Sequence, residues 1–144
     1  MAVESELVLS PDEFVRSQTE QILSSGTTEG VEIQGRPVVL VTMRTAKSGK
    51  LRAVPLMRVE HDGRYALVAS RGGAPKHPQW YWNLKANPKV TLQDGTVTKE
   101  YVAREVTGEE RAEWWSRAVN AFPPYAEYQE KTERQIPVFV LDPA

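Results

Sequence analysis

The sequence predicts an α+β fold that is mainly β, an antiparallel barrel of about six strands with three or four flanking helices. Short runs rich in β-branched or aromatic residues recur along the chain. The Asp-Gly pairs at 62–63 and 94–95 are strong hairpin signals. The strand segments are joined by short turns rather than by helical crossovers, which favours antiparallel pairing over a doubly wound parallel sheet. No repeat or linker interrupts the 144 residues, so a single domain is expected over 1–144.

Six segments have strand character: 37–43, 51–59, 65–70, 90–92, 96–106 and 136–141. We expect the first three to form an antiparallel meander, connected by the turn at 47–50 and by Asp62-Gly63. Pro55 lies inside the second segment and cannot donate a ladder hydrogen bond. That strand should therefore have a bulge or a free edge at Pro55.

Helices are predicted between these strands. Ser10 as N-cap, Pro11 at the first helical position and Glu13 three residues after Ser10 open a helix over 10–25. Its apolar face would come from Phe14, Val15, Ile22 and Leu23. Two further helices are expected over 78–86 and 108–122, each stopped by proline, and 125–134 adds another turn or two.

The composition argues against several kinds of functional site and of cellular location. The chain has no cysteine, which removes thiol nucleophiles, CxxC pairs and thiolate metal sites. The first residues lack the features of a signal peptide, and no stretch approaches the ~20 apolar residues of a membrane span. A cytoplasmic protein is expected. The short apolar face and acidic flanks of the N-terminal helix argue against strong binding to anionic lipid, so only weak peripheral membrane contact is left open.

Familiar catalytic motifs are missing, since the chain contains no GxGxxG, GxxxxGK[ST], HExxH or GxSxG. The two histidines, His61 and His77, are expected to be exposed turn residues, and no metal site is predicted. The middle of the chain is nevertheless cationic. Residues 36–93 contain eleven Lys or Arg against two acidic residues, which makes this region the candidate for binding an anion.

Four segments are candidates for chemistry. The 44–52 segment places four cations around one turn, and the 70–78 segment is a Gly-containing loop leading into a helix, so either can hold a phosphate or carboxylate. Trp80, Tyr81 and Trp82 fall on one helical turn and cannot all face a single core, so at least one should line a surface or cleft. Tyr125 and Tyr128 are three residues apart and should project together from one helical face. Plain loops and core packing explain each segment equally well when it is taken alone.

Together, PLMRVEHDGRYALVASRGGAPKHPQWYWNLKANPKV at 55–90, DGTVTKEYVAREVTG at 94–108, PPYAEYQ at 123–129 and RQIPVFVLDP at 134–143 resemble the deazaflavin-dependent nitroreductase family of actinobacteria. The resemblance runs in order from Arg36 to Pro143. It implies a split β-barrel of the FMN-binding, pyridoxamine-oxidase-like type. It also implies an oxidoreductase that binds coenzyme F420, an 8-hydroxy-5-deazaflavin, and passes a hydride from it to a quinone such as menaquinone or to a nitro compound.

The resemblance also assigns residues. Lys47, Ser48 and Arg52 match positions that hold the coenzyme's phosphate, while Ser70, Tyr125 and Tyr128 would act at the reacting centre. The remaining coenzyme-binding residues are Ala46, Ala53, Val54, Pro55, Leu56, Met57, Val68, Ala69, Arg71, Lys76, Gln79, Trp80, Tyr81, Trp82 and Asn83, and Tyr125 and Ser70 belong to this set as well.

Two departures from the family pattern concern the substrate pocket. Phe122 stands where a nitroimidazole-reducing relative has tyrosine, and Arg71 where it has lysine, so the pocket loses one hydroxyl. Activation of nitroimidazole prodrugs is therefore not implied. Three alternatives stay open: a split-barrel reductase that uses FMN, a deazaflavin carrier without turnover, and a nucleic-acid module built on the interleaved basic and aromatic residues. The near-neutral net charge of -1 counts against nucleic acid as a partner. The oligomeric state is not predicted.

Overall fold

The computed structural model describes residues 7–8 and 13–144. Its helices are α1 (Glu13–Ser25), α2 (Gln79–Ala86), α3 (Gly108–Ala121) and α4 (Pro124–Glu130), and a short 3₁₀ helix spans Arg71–Gly73. Its strands are β1 (Leu7–Val8), β2 (Glu32–Ile33), β3 (Arg36–Arg44), β4 (Leu51–Met57), β5 (Glu60–His61), β6 (Arg64–Val68), β7 (Lys89–Asp94), β8 (Val97–Glu105) and β9 (Val138–Pro143). The six predicted strands and the predicted helices are confirmed, except that Ser10 and Pro11 lie outside the described residues.

The strands form one curled sheet in the order β1-β4-β3-β7-β8-β9-β6-β5, with β2 paired to β3. Every pair is antiparallel apart from the two-residue β1–β4 contact. The sheet curls so that β4 and β6 approach each other. The chain passes between them through the β5–β6 hairpin, which the Ala66 amide extends by donating to the Val59 carbonyl at 2.9 Å. The result is a barrel that is open along one line, with β4 on one side of the opening and β6 on the other.

The predicted three-stranded meander is correct for β3 and β4, which pair antiparallel, but wrong for the third strand, because β6 does not pair with β4. β6 pairs with β9, in a register that places Val68 opposite Val138. The Asp62-Gly63 signal is correct in kind, since both residues have positive φ, of 53° and 79°, as a tight hairpin turn requires. However, that turn joins β6 to the two-residue strand β5 and not to β4.

The free edge predicted at Pro55 is confirmed for the described residues. β4 pairs with β3 along its whole length, so that Pro55 lies opposite Leu40. On its other side β4 pairs only at Leu51 and Arg52, with β1. Because proline has no N–H, nothing is lost by leaving this edge open beyond Arg52.

Three apolar clusters stabilise the fold. The cluster inside the curled sheet includes Val41, Leu67, Trp80, Tyr81 and Phe139. A second cluster lies between the sheet and helices α3 and α4, and a third lies under α1 around Ile22 and Val38. At about 25 cal/mol per Å² of apolar surface removed from water, burial of these side chains is the main stabilising contribution.

The N-terminal helix uses less of its predicted apolar face than expected. Ile22 is fully buried, but Phe14 is 62% exposed and Leu23 is 50% exposed. Polar contacts also hold this helix in place. One of them is a hydrogen bond from Gln18 Nε2 to the Glu32 carbonyl. None of the helices described is long and apolar enough to cross a membrane.

Candidate coenzyme site

The turn at residues 45–50 joins β3 to β4 and carries the first predicted ligands. Its backbone closes through a hydrogen bond from the Thr45 amide to the Lys50 carbonyl at 2.8 Å, and the hydroxyls of Thr45 and Ser48 lie 2.7 Å apart. The Ala46 amide donates to Asn83 Oδ1 at 3.0 Å, which fixes the turn against α2. Lys47 and Ser48 are exposed. The turn is thus a rigid, cationic corner with its side chains free to meet a ligand.

Two buried donors beside this turn have no partner among residues 7–8 and 13–144. The side chain of Asn83 is almost completely buried, and its Nδ2 donates to nothing although its Oδ1 is used by Ala46. Arg52, opposite Met43 on the neighbouring strand, is half-buried with its Nε also unpartnered. A buried donor without an acceptor costs about 1–3 kcal/mol. Donors of this kind next to exposed lysine and serine side chains fit an anionic group such as a phosphate.

Along β4 the side chains alternate between two environments. Ala53, Pro55 and Met57 are buried, with Ala53 under α1 and Met57 in the cluster beneath α3 and α4. Val54 and Leu56 are half-buried and pack against the interior cluster that also contains Trp80, Tyr81 and Ala69. Of the predicted β4 residues, Val54 and Leu56 therefore lie on the face of the interior cluster, with Arg52 on the same face by alternation. Ala53, Pro55 and Met57 lie on the other face.

Residues 69–78 form the loop on the other side of the opening. Val68, Ala69 and Ser70 are buried, whereas Arg71 and Lys76 are exposed. Arg71 has a positive φ of 47° within the short 3₁₀ helix. Gly73 also has a positive φ, and a Cβ placed there would lie 2.8 Å from the Tyr128 carbonyl oxygen. Glycine at 73 therefore lets this loop pack directly on α4.

The helix α2 separates its aromatic residues as predicted. Trp80 and Tyr81 are buried, with Tyr81 donating a hydrogen bond to Glu105 at 3.2 Å, but Trp82 is 51% exposed. Burial and the nearby Glu105 carboxylate raise the pKa of Tyr81. Gln79 is exposed at the start of the helix, and Asn83 points back to the 45–50 turn. Of the three rings, Trp82 is therefore the exposed one.

Tyr125 and Tyr128 do project together from α4, with ring centroids 6.2 Å apart. Phe122 completes the group, 5.0 Å from Tyr125 and 6.1 Å from Tyr128. Burial, followed by the neighbouring Tyr128, raises the pKa of Tyr125 well above its usual value. The Tyr125 hydroxyl is therefore protonated throughout the physiological range and can act as a hydrogen-bond or proton donor.

The structure thus brings the predicted segments to one place. The 45–50 turn touches α2, α2 and β4 share the interior cluster with Ala69, and the 69–78 loop packs on the helix that carries Tyr125 and Tyr128.

Two residues of this region were not predicted to have a role there. His77 is not an exposed turn residue: its ring stacks on Tyr81 with centroids 4.1 Å apart. Arg134 donates to three carbonyls of the 69–78 loop. No local sequence motif predicts that contact.

No group of three or more potential metal ligands occurs within the described residues. His61 is exposed and lies 3.3 Å from Asp62. The groups available at the opening are cationic and amide donors together with serine and tyrosine hydroxyls.

Comparison with known proteins agrees with this geometry. The profile of the F420H(2)-dependent quinone reductase family matches residues 14–143. A Mycobacterium tuberculosis protein named F420H(2)-dependent quinone reductase is 37% identical over 116 residues, which cover 78% of this chain and 78% of that protein.

Solved structures give the same result. One described as an F420-H2 dependent reductase is 60% identical, with a TM-score of 0.71, and covers 78% of this chain and 100% of its own. Another, described as a domain-swapped dimer, is 60% identical with a TM-score of 0.74 and covers 92% of this chain and 100% of its own. A heme storage protein from Vibrio cholerae, at 19% identity and a TM-score of 0.57, covers 77% of this chain and 84% of its own and shares the fold alone. The predicted split β-barrel is confirmed.

Proposed function

Because the chain belongs to the F420H(2)-dependent quinone reductase family, we propose that it binds coenzyme F420 at the barrel opening and transfers a hydride to a quinone. The observation that carries this proposal is the pair of unpartnered donors on Arg52 and Asn83 beside the cationic 45–50 turn. The enzyme class and the coenzyme follow from the family. The residues, the hydride step and the choice of acceptor are our proposals.

The phosphate of the coenzyme would be held by Arg52, Lys47 and Ser48. Arg52 supplies a fixed guanidinium donor, and Lys47 supplies a mobile charge. Asn83 fixes the backbone of the turn through Ala46, and its free Nδ2 donates to the same ligand. Since each charge-assisted bond contributes about 1.5–3 kcal/mol, this corner would provide much of the affinity for the anionic part of the coenzyme.

The ring system would lie between β4 and the 69–78 loop. The side chains of Val54 and Leu56 offer an apolar strip, and the backbone of Pro55, Ala69 and Ser70 offers polar edges beside it. Trp82 presents an exposed ring face for stacking. Trp80 and Tyr81 support α2 from the core, so their contribution is to hold Gln79, Trp82 and Asn83 in place.

When bound and reduced, coenzyme F420 supplies a hydride. Reduction of a quinone to the hydroquinone takes up that hydride and one proton. Tyr125 would hydrogen-bond the acceptor oxygen or pass on the proton. Its raised pKa makes the neutral hydroxyl a weaker acid, which favours hydrogen-bond donation over loss of the proton. Tyr128 lies beside Tyr125. Ser70, in the loop that follows β6 and packs on α4, would orient the acceptor.

The aromatic group on α4 favours a quinone over a nitroimidazole as the acceptor. Phe122 is buried against Tyr125 and Tyr128, where a nitroimidazole-reducing relative has a tyrosine. An apolar ring at this position binds the planar carbon skeleton of a quinone such as menaquinone but offers no hydroxyl to a nitro group. We therefore propose menaquinone-like quinones as the preferred acceptors and nitroaromatic compounds as poorer ones.

A lipid-soluble quinone is reached at a membrane surface, and we propose that any membrane contact is peripheral and weak. The exposed Phe14 and Leu23 on α1 are available to such a surface, but the acidic residues of the same helix, including Glu13 and Glu20, oppose anionic lipid. Co-sedimentation with neutral vesicles should be detectable and should fall when phosphatidylglycerol is added. Binding that strengthens with anionic lipid would contradict this proposal.

The direct test is a fluorescence titration of oxidised coenzyme F420 into the purified protein, with FMN titrated in parallel. We expect saturable binding of the deazaflavin and none, or far weaker binding, of FMN. Anaerobic oxidation of the reduced coenzyme is then followed with menadione and with a bicyclic nitroimidazole as acceptors. A preference for FMN would favour the flavin alternative, and binding without accelerated oxidation would favour a carrier.

A further inference from the structure

Arg134, in the segment between α4 and β9, holds most of the 69–78 loop with a single guanidinium group. Its Nε donates to the Ala74 carbonyl at 2.9 Å and its Nη2 to the Ser70 carbonyl at 2.8 Å. Its Nη1 lies 3.2 Å from the Ala69 carbonyl and 3.0 Å from His77 Nδ1. An arginine has five N–H donors, so four of them are directed at one loop.

The same residue is tied to α4 through its backbone. Gln129 on α4 donates from Nε2 to the Arg134 carbonyl at 2.8 Å and accepts from the Ile136 amide at 2.9 Å. Gln129 belongs to the helix that carries Tyr125 and Tyr128. Arg134 therefore bridges the loop proposed to line the coenzyme and the helix proposed to face the acceptor.

The contact with His77 depends on the charge of the imidazole. Arg134 can only donate, so Nδ1 must be an unprotonated acceptor. Burial, followed by the positive charge of Arg134, lowers the pKa of His77, while Glu105 opposes the shift. The other groups facing the ring are Tyr81, stacked at 4.1 Å, and Trp82 at 5.6 Å, and Arg71 adds positive charge near Arg134. Protonation of His77 would place two cations against each other and break the contact.

Among the described residues, no carboxylate forms an ion pair with Arg134, so carbonyl oxygens and a neutral imidazole surround its charge. These hydrogen bonds fix the positions of the carbonyl groups around Arg134 and do not neutralise the charge of its guanidinium group. A bidentate or tridentate guanidinium fixes its partners in direction as well as distance, which an ammonium group cannot do.

We propose that Arg134 is a positioning residue for the reaction and that His77 is its partner. Together they fix the 69–78 loop relative to α4, and so hold Ser70 and the coenzyme-facing backbone in register with Tyr125 and Tyr128. This inference rests on the proposed function. Because a misplacement of about 1 Å can cost on the order of 100-fold in rate, loosening the loop should lower kcat much more than it changes binding.

The first experiment compares Arg134→Lys with the wild type, using Arg117→Lys on α3 as a matched control. Arg134→Lys keeps the charge but loses the planar set of donors. We expect its kcat with menadione to fall by about 10- to 100-fold, with KM and the Kd for coenzyme F420 within about threefold of wild type. Arg117→Lys should leave all three constants unchanged. An unchanged kcat in Arg134→Lys would overturn the inference.

The second experiment uses pH and does not depend on whether Arg134→Lys folds. In His77→Asn the side-chain oxygen occupies nearly the place of Nδ1 and accepts at every pH. We expect the ratio of wild-type kcat to His77→Asn kcat to fall as the pH drops through the His77 pKa, which lies below 6.5. Titration of the coenzyme itself is common to both proteins and cancels in the ratio. A ratio that is constant with pH would contradict the Arg134–His77 contact as a positioning device.

Different results would contradict the proposed function and the role of Arg134. If the wild type does not bind coenzyme F420, the proposed function is wrong and the role of Arg134 falls with it. If the wild type binds and turns over but both variants match it, only the role of Arg134 is wrong. An NMR titration of the two histidines gives an independent readout without coenzyme: in Arg134→Gln the His77 pKa should rise towards 6.5.

Discussion

Replacing Arg52 by methionine should change stability and coenzyme binding in opposite directions. In the free protein, Arg52 Nε is buried with no partner in the part of the chain that the structure describes, and such a donor costs about 1–3 kcal/mol. Methionine keeps an unbranched apolar stem of similar length and removes that donor. We therefore expect Arg52→Met to stabilise the free protein by about 1 kcal/mol, which raises Tm by roughly 2–4 °C for a chain of this size.

Coenzyme binding should weaken in the same variant. The lost charge-assisted bond contributes about 1.5–3 kcal/mol, which corresponds to about a 10- to 150-fold rise in Kd. Fluorescence titration gives Kd, and thermal unfolding of the free protein gives the change in stability. Arg36→Met, at the exposed start of β3, removes the same charge away from the 45–50 turn and should change neither quantity appreciably. Equal Kd values for Arg52→Met and the wild type, or equal losses in both variants, would refute the anion-binding role of Arg52.

Three further predictions concern the loop, the acceptor helix and a surface ion pair. Gly73→Ala places a Cβ 2.8 Å from the Tyr128 carbonyl oxygen at a positive φ, so it should destabilise the protein by about 1–3 kcal/mol, measured by urea unfolding. Tyr125→Phe should lower kcat with menadione by about 100-fold or more, on the order expected for loss of a proton donor, whereas a kcat equal to that of the wild type would assign the proton to water. The hydrogen bonds from Arg104 lower the pKa of Glu110 below its usual 4.5, so the stability it contributes is complete above pH 4.5 and lost as the pH falls through its folded-state pKa. Wild type and Glu110→Gln should therefore converge in stability at low pH, and a constant difference between them would exclude this linkage.

Local signals predicted the elements of the fold well, because strand and helix formation here depend on nearby residues. The β-branched run of β3 and the Asp-Gly turn at 62–63 are examples. The pairing of β6 could not be predicted in the same way. Its partner β9 lies far along the chain, and the edge-strand character of β4 around Pro55 permitted a meander that the curled sheet does not use. The choice between partners was made by long-range packing around Phe139 and Leu67.

The residues of the candidate site could also be predicted only in part from the sequence. The family resemblance predicted Lys47, Ser48 and Arg52 as ligands. The structure shows in addition that the 45–50 turn is held against α2, because the Ala46 amide donates to Asn83. Their assignment as ligands stays a prediction. Arg134 could not be predicted, because an arginine that binds backbone carbonyls leaves no pattern in its own neighbourhood. His77 appeared as an exposed turn residue because its stacking partner Tyr81 lies one helical turn further on.

The place of β9 between β8 and β6 has a consequence for how the protein is made. Val138–Pro143 is synthesised well after β6, yet it is an interior strand with neighbours on both sides. During translation the β5–β6 hairpin therefore waits, with its inner edge unpaired, until β9 has left the ribosome. Such an edge is open to any other strand of the right register, including β9 of a second nascent chain. The longer the interval between synthesis of β6 and synthesis of β9, the longer this edge is open to wrong pairing.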